Sequence, residues 1–174
     1  MNEDLAQLLA VFFAAGKPLT PAELARGLEA GEEETLRKVR ELGRHLEDGT
    51  LGVALEEVAG GWRLIVHPRH VDRVQAVLRP RPPRLSPAAL EVLAIVAYHQ
   101  PITRPEIEAM RGKNSDAVLE GLLERELVGV VGVKEVVGRP RLYGTTARFL
   151  ELFGLASLDE LPPLEEGPAL LLRD

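Results

Sequence analysis

Hydrophobic residues in the first half of the chain recur at helical spacing in three successive stretches. The opening stretch carries Leu5, Leu8, Leu9 and Phe12 on one helix face. Thr20, Pro21 and Glu23 then supply an N-cap, a first-turn proline and a capping-box acid, which predict a second, short helix ending near residue 28. A third helix is predicted over residues 32–48. Its inward face is expected to hold Leu36, Val39, Gly43 and Leu46.

The period then changes from helical to alternating, which is typical of strands. Val53 and Leu55 predict one strand, and the alternation from Trp62 to Val66 predicts another, with Gly60-Gly61 as the hairpin turn. A last helix is expected over residues 70–78. Three helices followed by a β-hairpin form a helix-turn-helix extended by a wing.

The same order of elements occurs a second time. The segment KPLTPAEL at residues 17–24 recurs 83 residues later as QPITRPEI at residues 100–107. In the second copy, Ser86 and Ser115 stand where helices need N-caps, and strands are expected over residues 128–136 and 141–145.

The sequence therefore predicts a mainly helical α+β fold of two tandem winged-helix domains. The prolines at positions 80, 82 and 83 indicate a stiff spacer between the two copies. We expect an N-terminal domain at residues 1–79, a proline-rich linker at 80–84 and a C-terminal domain at 85–161. Residues 162–174 are proline-rich and acidic, which is typical of a flexible tail.

Composition narrows the function classes. The chain has no cysteine, so disulfides, thiolate catalysis and cysteine-ligated metal sites are excluded. Its net charge is −6, and dividing the chain at Arg84 gives −1 before the cut and −5 after it. The acidic N-terminus does not resemble a signal peptide, and no apolar run reaches the roughly 20 residues of a membrane span. We expect a cytoplasmic protein that is not bound to a membrane.

Candidate catalytic chemistry is missing from the sequence pattern. The three serines, Ser86, Ser115 and Ser157, all occupy N-cap positions, and no nucleophile elbow or phosphate-binding glycine loop occurs. His67 and His70 form the single close histidine pair, but Pro68 lies between them and no third ligand is nearby. The chain is therefore predicted not to be an enzyme, and to use no metal, cofactor or small-molecule substrate.

Two functions remain open from the residues alone. A winged helix often reads DNA, and a DNA-binding transcription regulator is the alternative hypothesis. However, the third helix of the second copy offers Asp116, Glu120 and Glu124 outward, and phosphates repel such a face. The third helix of the first copy mixes arginines with glutamates on its outward face. A protein-binding adaptor without specific DNA recognition is the favoured interpretation.

Five segments of the second half resemble the segregation and condensation protein B (ScpB) family. They are LSPAALEVLAIVAYHQPITR at residues 85–104, RGKNSD at 111–116, GRP at 138–140, LYGTT at 142–146 and FLELFGL at 149–155. The first half resembles the family in layout more than in exact residues. The resemblance implies two winged-helix domains, homodimer formation through the N-terminal one, and binding to the kleisin ScpA. Contact with the SMC ATPase would run through ScpA, in a nucleoid-associated complex that condenses and segregates chromosomes.

Two groups of residues are the candidate interaction sites. Leu9, Phe12 and Phe13 are the candidates for dimerisation, because one helix cannot bury two adjacent phenylalanines in the same small core; a broad buried face is the alternative. The candidates for kleisin binding are Arg111, Asn114, Arg139, Pro140 and Tyr143. Tyrosine and arginine are frequent at binding hot spots, but a core position for Tyr143 is equally compatible with the pattern.

Overall fold

The computed structural model describes residues 3–78 and 84–163. The chain divides into two compact units between residues 82 and 83. Of the predicted linker only Arg84, and of the predicted tail only Pro162 and Pro163, belong to the described residues; the remainder of both lies outside them.

The first unit consists of three helices, a hairpin and a closing helix. Its elements are α1 (Glu3–Ala15), α2 (Pro21–Gly27), α3 (Glu32–Leu46), β1 (Val53–Val58), β2 (Gly61–Val66), a 3₁₀ turn (Pro68–His70) and α4 (Val71–Leu78). Thr20 accepts a hydrogen bond from the Glu23 N–H, and the Glu23 carboxylate accepts one from the Thr20 N–H, so the predicted capping box begins α2. The box fixes where the chain turns from the α1–α2 loop into the helix.

The core of the first unit lies between the helices and the hairpin, and is formed by Leu5, Leu8, Phe12, Leu19, Leu24, Val39, Leu42 and Leu46. The inward face of α3 differs from the prediction, because Thr35 and Leu42 are buried whereas Leu36 and Gly43 are only half-buried. Thr35, Val39, Leu42 and Leu46 follow a four-, three- and four-residue spacing, which aligns them on one stripe of the helix.

The hairpin turn lies one residue earlier than predicted. Val58 pairs with Gly61, so Ala59 and Gly60 form a two-residue turn, with φ of 51° and 71°. Two positive φ angles are the requirement of a type I′ turn. Gly61 instead belongs to β2, where a Cβ atom would lie 2.5 Å from the Leu19 carbonyl oxygen. Leu19 pairs there with Trp62 through two backbone hydrogen bonds of 2.8 and 2.9 Å.

The second unit repeats this arrangement with a fuller sheet. Its elements are α5 (Pro87–His99), β3 (Ile102–Thr103), α6 (Arg104–Arg111), α7 (Asp116–Glu124), β4 (Val128–Val133), β5 (Arg141–Thr145), α8 (Ala147–Phe153) and a 3₁₀ turn (Leu158–Glu160). The strand order is β3-β5-β4, with antiparallel pairs. Strand β3 was not predicted, and its counterpart in the first unit is the Leu19–Trp62 bridge. The predicted α+β fold with two tandem winged helices is confirmed.

The second core is formed by residues of every element from α5 to α8. Its buried members are Val92, Leu93, Val96, Ala97, Ile102, Ile107, Leu119, Leu122, Leu127, Val128, Tyr143 and Phe149. Gly154 ends α8 in the left-handed conformation, as the sequence predicts. Because helices cover one face of the hairpin, its opposite face and the wing tip can contact other molecules.

Candidate protein-interaction surfaces

Helix α1 buries one face and exposes another that is also apolar. Phe12 belongs to the core and Leu9 is half-buried against it, whereas 79% of Phe13 is exposed. Ala10, one turn before Phe13, is exposed on the same side of α1, and Ala14 beside Phe13 is also exposed. The structure therefore separates the three candidate dimerisation residues: Phe12 supports the fold, and Phe13 is the member available to a second molecule.

The candidate Arg111 is an internal support of the turn between α6 and α7. Only 7% of its side chain is exposed. Its Nε donates to the Glu91 carboxylate at 2.8 Å, and its Nη1 donates to the Asn114 carbonyl at 2.9 Å. These contacts tie the turn to α5 and leave the guanidinium little surface with which to meet a partner.

Asn114, in contrast to Arg111, is exposed in the same turn. Its Oδ1 accepts a hydrogen bond from the Asp116 N–H at 3.1 Å, whereas the Ser115 side chain makes no capping bond. Ser115 therefore stands at the N-cap of α7, as predicted, but its hydroxyl does not make the capping bond. The buried Ser115 hydroxyl instead donates to the Lys113 carbonyl at 3.3 Å, because its side chain points back into the turn.

The three candidates on the second wing lie at different depths. Arg139 stands at the wing tip with a φ of 38° and a side chain that is 73% exposed. Pro140 is half-buried, and Tyr143 is a core residue with 8% exposure. Arg139 and Pro140 are thus the accessible members of the group, whereas Tyr143 belongs to the core of the unit.

A group of exposed valines on this wing was missed by the sequence reasoning. Its members, here called the wing valines, are Val130, Val131, Val133, Val136 and Val137. Val137 is fully exposed and the others are between 41% and 57% exposed. The run VGVVGV has no polar residue at alternate positions, as a half-buried strand would have. A continuous apolar run is equally typical of a fully buried strand, so the sequence alone did not identify these valines as exposed.

Several motif residues hold the second unit together. Gln100 Oε1 accepts a hydrogen bond from the Thr145 N–H at 2.7 Å, and its Nε2 donates to the Ala97 carbonyl at 3.1 Å, which joins α5 to β5. A Cβ atom on Gly144 would lie 2.8 Å from Gln100 Oε1, so a glycine leaves room for this amide. Tyr98 donates its hydroxyl to the Pro162 carbonyl at 2.7 Å.

The recognition-helix positions are occupied by mixed or acidic surfaces. On α3, Lys38 contacts Asp4 at 3.0 Å and Glu34 at 3.3 Å, and these two acceptors raise the pKa of its ammonium group. On α7, Asp116, Glu120 and Glu124 are exposed. Helix α7 contains no arginine, lysine, asparagine or glutamine, the side chains that recognise DNA bases. On α3, the exposed Arg37, Arg40 and Arg44 lie among glutamates.

The two histidines of the predicted pair contact backbone oxygens. His67 Nε2 lies 3.2 Å from the Glu47 carbonyl, and His70 Nε2 lies 3.0 Å from the Gly49 carbonyl. Both therefore contact the chain just after α3. Within residues 3–78 and 84–163, no group of three or more potential metal ligands comes together, and no helix of that part is long and apolar enough to cross a bilayer.

Comparison with known proteins gives a consistent family. The family model described as "Segregation and condensation complex subunit ScpB" matches residues 6–164. Segregation and condensation protein B of Moorella thermoacetica is 46% identical over 167 residues, which cover 94% of this chain and 84% of that protein. The protein of the same name from Myxococcus xanthus is 45% identical over 156 residues. That match covers 90% of this chain but only 47% of the Myxococcus protein.

Solved structures also match. ScpB from Mycobacterium tuberculosis is 33% identical with a TM-score of 0.41, and the match covers 89% of this chain and 98% of that one. A dimer of an ScpB N-terminal domain complexed with an ScpA peptide is 26% identical with a TM-score of 0.41. This second match covers 43% of this chain and 94% of that one.

Proposed function

The chain belongs to the family of segregation and condensation complex subunit ScpB, and we propose that it is a non-catalytic adaptor of an SMC–kleisin complex in chromosome condensation and segregation. The observation that carries this proposal is the family match over residues 6–164, which includes both winged-helix units. An adaptor needs surfaces that grip other polypeptides, and the two units offer such surfaces at α1 and at the second wing. We assign ATP hydrolysis to the SMC partner. The complex is proposed to act in the cytoplasm.

The first unit is proposed to form the homodimer through the outer face of α1. Phe13 is a large apolar side chain that is 79% exposed and does not belong to the core of its unit, and exposed alanines flank it. Small residues around a protruding aromatic ring let two helices approach closely. A two-fold symmetric contact uses the same patch twice, so one exposed phenylalanine contributes two rings to the interface.

The second unit is proposed to bind the kleisin ScpA at the wing tip around Arg139 and Pro140, with SMC reached through ScpA. An exposed arginine next to exposed apolar side chains has the composition of a binding hot spot. Asn114 is an exposed candidate on the α6–α7 turn. Arg111 and Tyr143, which the sequence placed in the same site, support it from within: Arg111 fixes the turn and Tyr143 fills the core under the wing.

Binding to ScpA of the same organism tests this function. Titration calorimetry of the full chain with ScpA is expected to show a specific complex, and Arg139→Glu is expected to weaken it by about tenfold or more, because a hot-spot cation is replaced by an anion. Arg125→Glu is the matched control, since Arg125 is an exposed arginine of the same unit outside the wing.

Equal affinity of both variants for ScpA would remove the wing tip from the site. Absence of any complex, together with nanomolar and sequence-dependent binding to duplex DNA at moderate salt, would instead support the transcription regulator. The acidic face of α7 argues against that result.

A further inference from the structure

The outer edge of the second wing has the features of an open strand-pairing site. Strand β4 is the last strand in the order β3-β5-β4, so one of its edges faces no other strand of the described chain. Its six residues, Val128–Val133, include neither a charge nor a proline. Natural proteins protect exposed edges with charges, prolines or bulges; β4 has a bulge at Val131, but no charged residue or proline blocks pairing along the strand.

The backbone geometry shows which groups face the open edge. The Lys134 N–H donates to the Pro140 carbonyl at 2.9 Å, toward β5. Because successive residues of a strand direct their backbone groups to opposite edges, the N–H and C=O of Val133 point away from β5. A register shift between Val130 and Gly132 leaves Val131 as a bulge residue. The end of β4 nearest the wing tip therefore offers one unpaired donor and acceptor at Val133.

The side chains around this edge specify the chemistry of an occupant. The wing valines flank the open backbone groups and are exposed together. Residues 128–145 carry three basic side chains and one acidic one, a net charge of +2 in a chain of net charge −6. Arg141, opposite Val133 on β5, is exposed and makes no ion pair with the described residues. An extended segment with apolar and acidic residues would match both the valines and the charge.

Resting on the function proposed above, we propose that β4 receives an extended, apolar and acidic segment of the kleisin partner as a fourth strand of the second wing. Main-chain hydrogen bonds to Val133 supply affinity, and the wing valines supply the apolar contact. The partner's carboxylates face Arg139 and Arg141. In this proposal the partner adds a strand to the wing sheet. The wing does not contact a groove of DNA, as the wings of DNA-binding proteins do.

Val133→Pro in the full chain is the decisive variant. Proline at this position deletes an N–H that faces the open edge, so it blocks strand addition. It removes no hydrogen bond within the sheet, because that N–H does not point toward β5, and edge strands tolerate proline at such positions. Val133→Thr is the matched control, since it keeps the N–H and the β-branched shape. Thermal unfolding checks that both variants stay folded, and calorimetry measures their affinity for ScpA.

The proposal expects Val133→Pro to lose about tenfold or more in affinity, and Val133→Thr to stay within about twofold of the unaltered chain. Amide exchange of the complex is expected to slow at Val133 relative to the free protein. Arg141→Glu is expected to weaken the complex, whereas Arg141→Lys, which keeps the positive charge, is expected to retain most of the affinity of the unaltered chain.

Other outcomes separate the two proposals. If ScpA binds and Val133→Pro has no effect while Val137→Ser weakens the complex, the partner docks on side chains and strand addition is wrong, although the adaptor function stands. If ScpA does not bind the unaltered chain, both proposals fail. If Val133→Pro changes the mass of the protein alone in light scattering, the occupant of β4 is a second copy of this chain, which also overturns the proposal.

Discussion

Two residues of the first unit show how single atoms control its packing. At Gly61 the backbone of Leu19 passes so close that a methyl group has no room. At Thr35 the Oγ1 atom is buried and has no hydrogen-bond partner among the described residues. Gly61 thus has no space for a Cβ atom, and the buried Thr35 hydroxyl lacks the hydrogen bond that would offset the cost of its burial.

Gly61→Ala is expected to destabilise the protein by about 1–3 kcal/mol, because the new Cβ atom must push apart the Leu19–Trp62 bridge. Gly43→Ala is the control with the opposite sign, since nothing lies within 4 Å of a Cβ atom there. Gly43 is inside α3, so alanine is expected to add about 0.5–1 kcal/mol. Chemical denaturation measures both; a neutral Gly61→Ala would show that the α1–α2 loop yields without cost.

Thr35→Val is expected to raise the free energy of unfolding by about 1 kcal/mol, because it replaces an unpaired buried hydroxyl by a methyl group of the same shape. The corresponding residue of the second unit, 83 positions later, is Val118. Thr35→Ser keeps the hydroxyl and loses the methyl group, and it is expected to lower stability. Denaturation midpoints test the pair, and a destabilising valine would indicate that the hydroxyl is hydrogen-bonded in solution.

At the scale of elements, both units begin their second helix with the same capping box, but its surroundings differ. In each box a threonine and a glutamate bond reciprocally. The Glu23 carboxylate has its pKa lowered chiefly by the Thr20 N–H, whereas Lys134 from the wing is the largest influence on Glu106. The second box is therefore also the attachment of the wing to α6.

Glu106 gives the second unit an acid-sensitive contact. The hydrogen bond from Lys134, followed by those from Thr103, lowers the pKa of Glu106 from 4.5 to about 2. A lowered pKa means that its stabilisation is complete above pH 4.5 and is lost as the pH falls toward 2. Glu106→Gln is expected to reduce stability at neutral pH and to converge with the unaltered chain near pH 2.

Unfolding midpoints measured along this acid range test the expectation. Because the carboxylate and the ammonium group are both partly exposed, added salt is expected to shrink the difference between the two proteins. Glu23→Gln is the matched variant of the first unit. Parallel curves for Glu106→Gln and the unaltered chain at every pH would contradict the assignment.

At the scale of the whole molecule, assembly depends on side chains that the fold leaves unused. Phe13 at the outer face of α1 and the wing valines at β4 are in different units. Self-association and partner binding are therefore expected to be separable by mutation, because neither surface supports the core of its unit.

Phe13→Glu is expected to convert a dimer to a monomer at micromolar concentration, because a charge replaces an apolar side chain at the proposed two-fold interface. Gln7→Glu, an exposed change on the same helix, is the control and is expected to remain dimeric. Light scattering and sedimentation measure the mass. A dimeric Phe13→Glu protein, or an unaltered chain that is already monomeric, would show that α1 does not form the contact.

The features that could be predicted from the sequence are those set by neighbouring residues. The Thr20 and Thr103 boxes, the Gly154 helix end and the twofold repeat all depend on residues a few positions apart, so the periods and caps revealed them. The predictions were less accurate where distant chain segments meet. Gly61 is part of β2 next to Leu19 and not part of the turn, and Ser115 makes no capping bond in a turn fixed by Arg111.

The sequence by itself determined two winged-helix units and, through the second-unit motifs, the ScpB family. Only the tertiary structure decided which motif residues face solvent. Arg111 reaches Glu91 across 20 positions and Gln100 reaches Thr145 across 45, so both belong to the scaffold. Arg139, Phe13 and the wing valines stay outside it. Residue type and local period fix which element forms, whereas exposure depends on contacts between segments far apart in the chain.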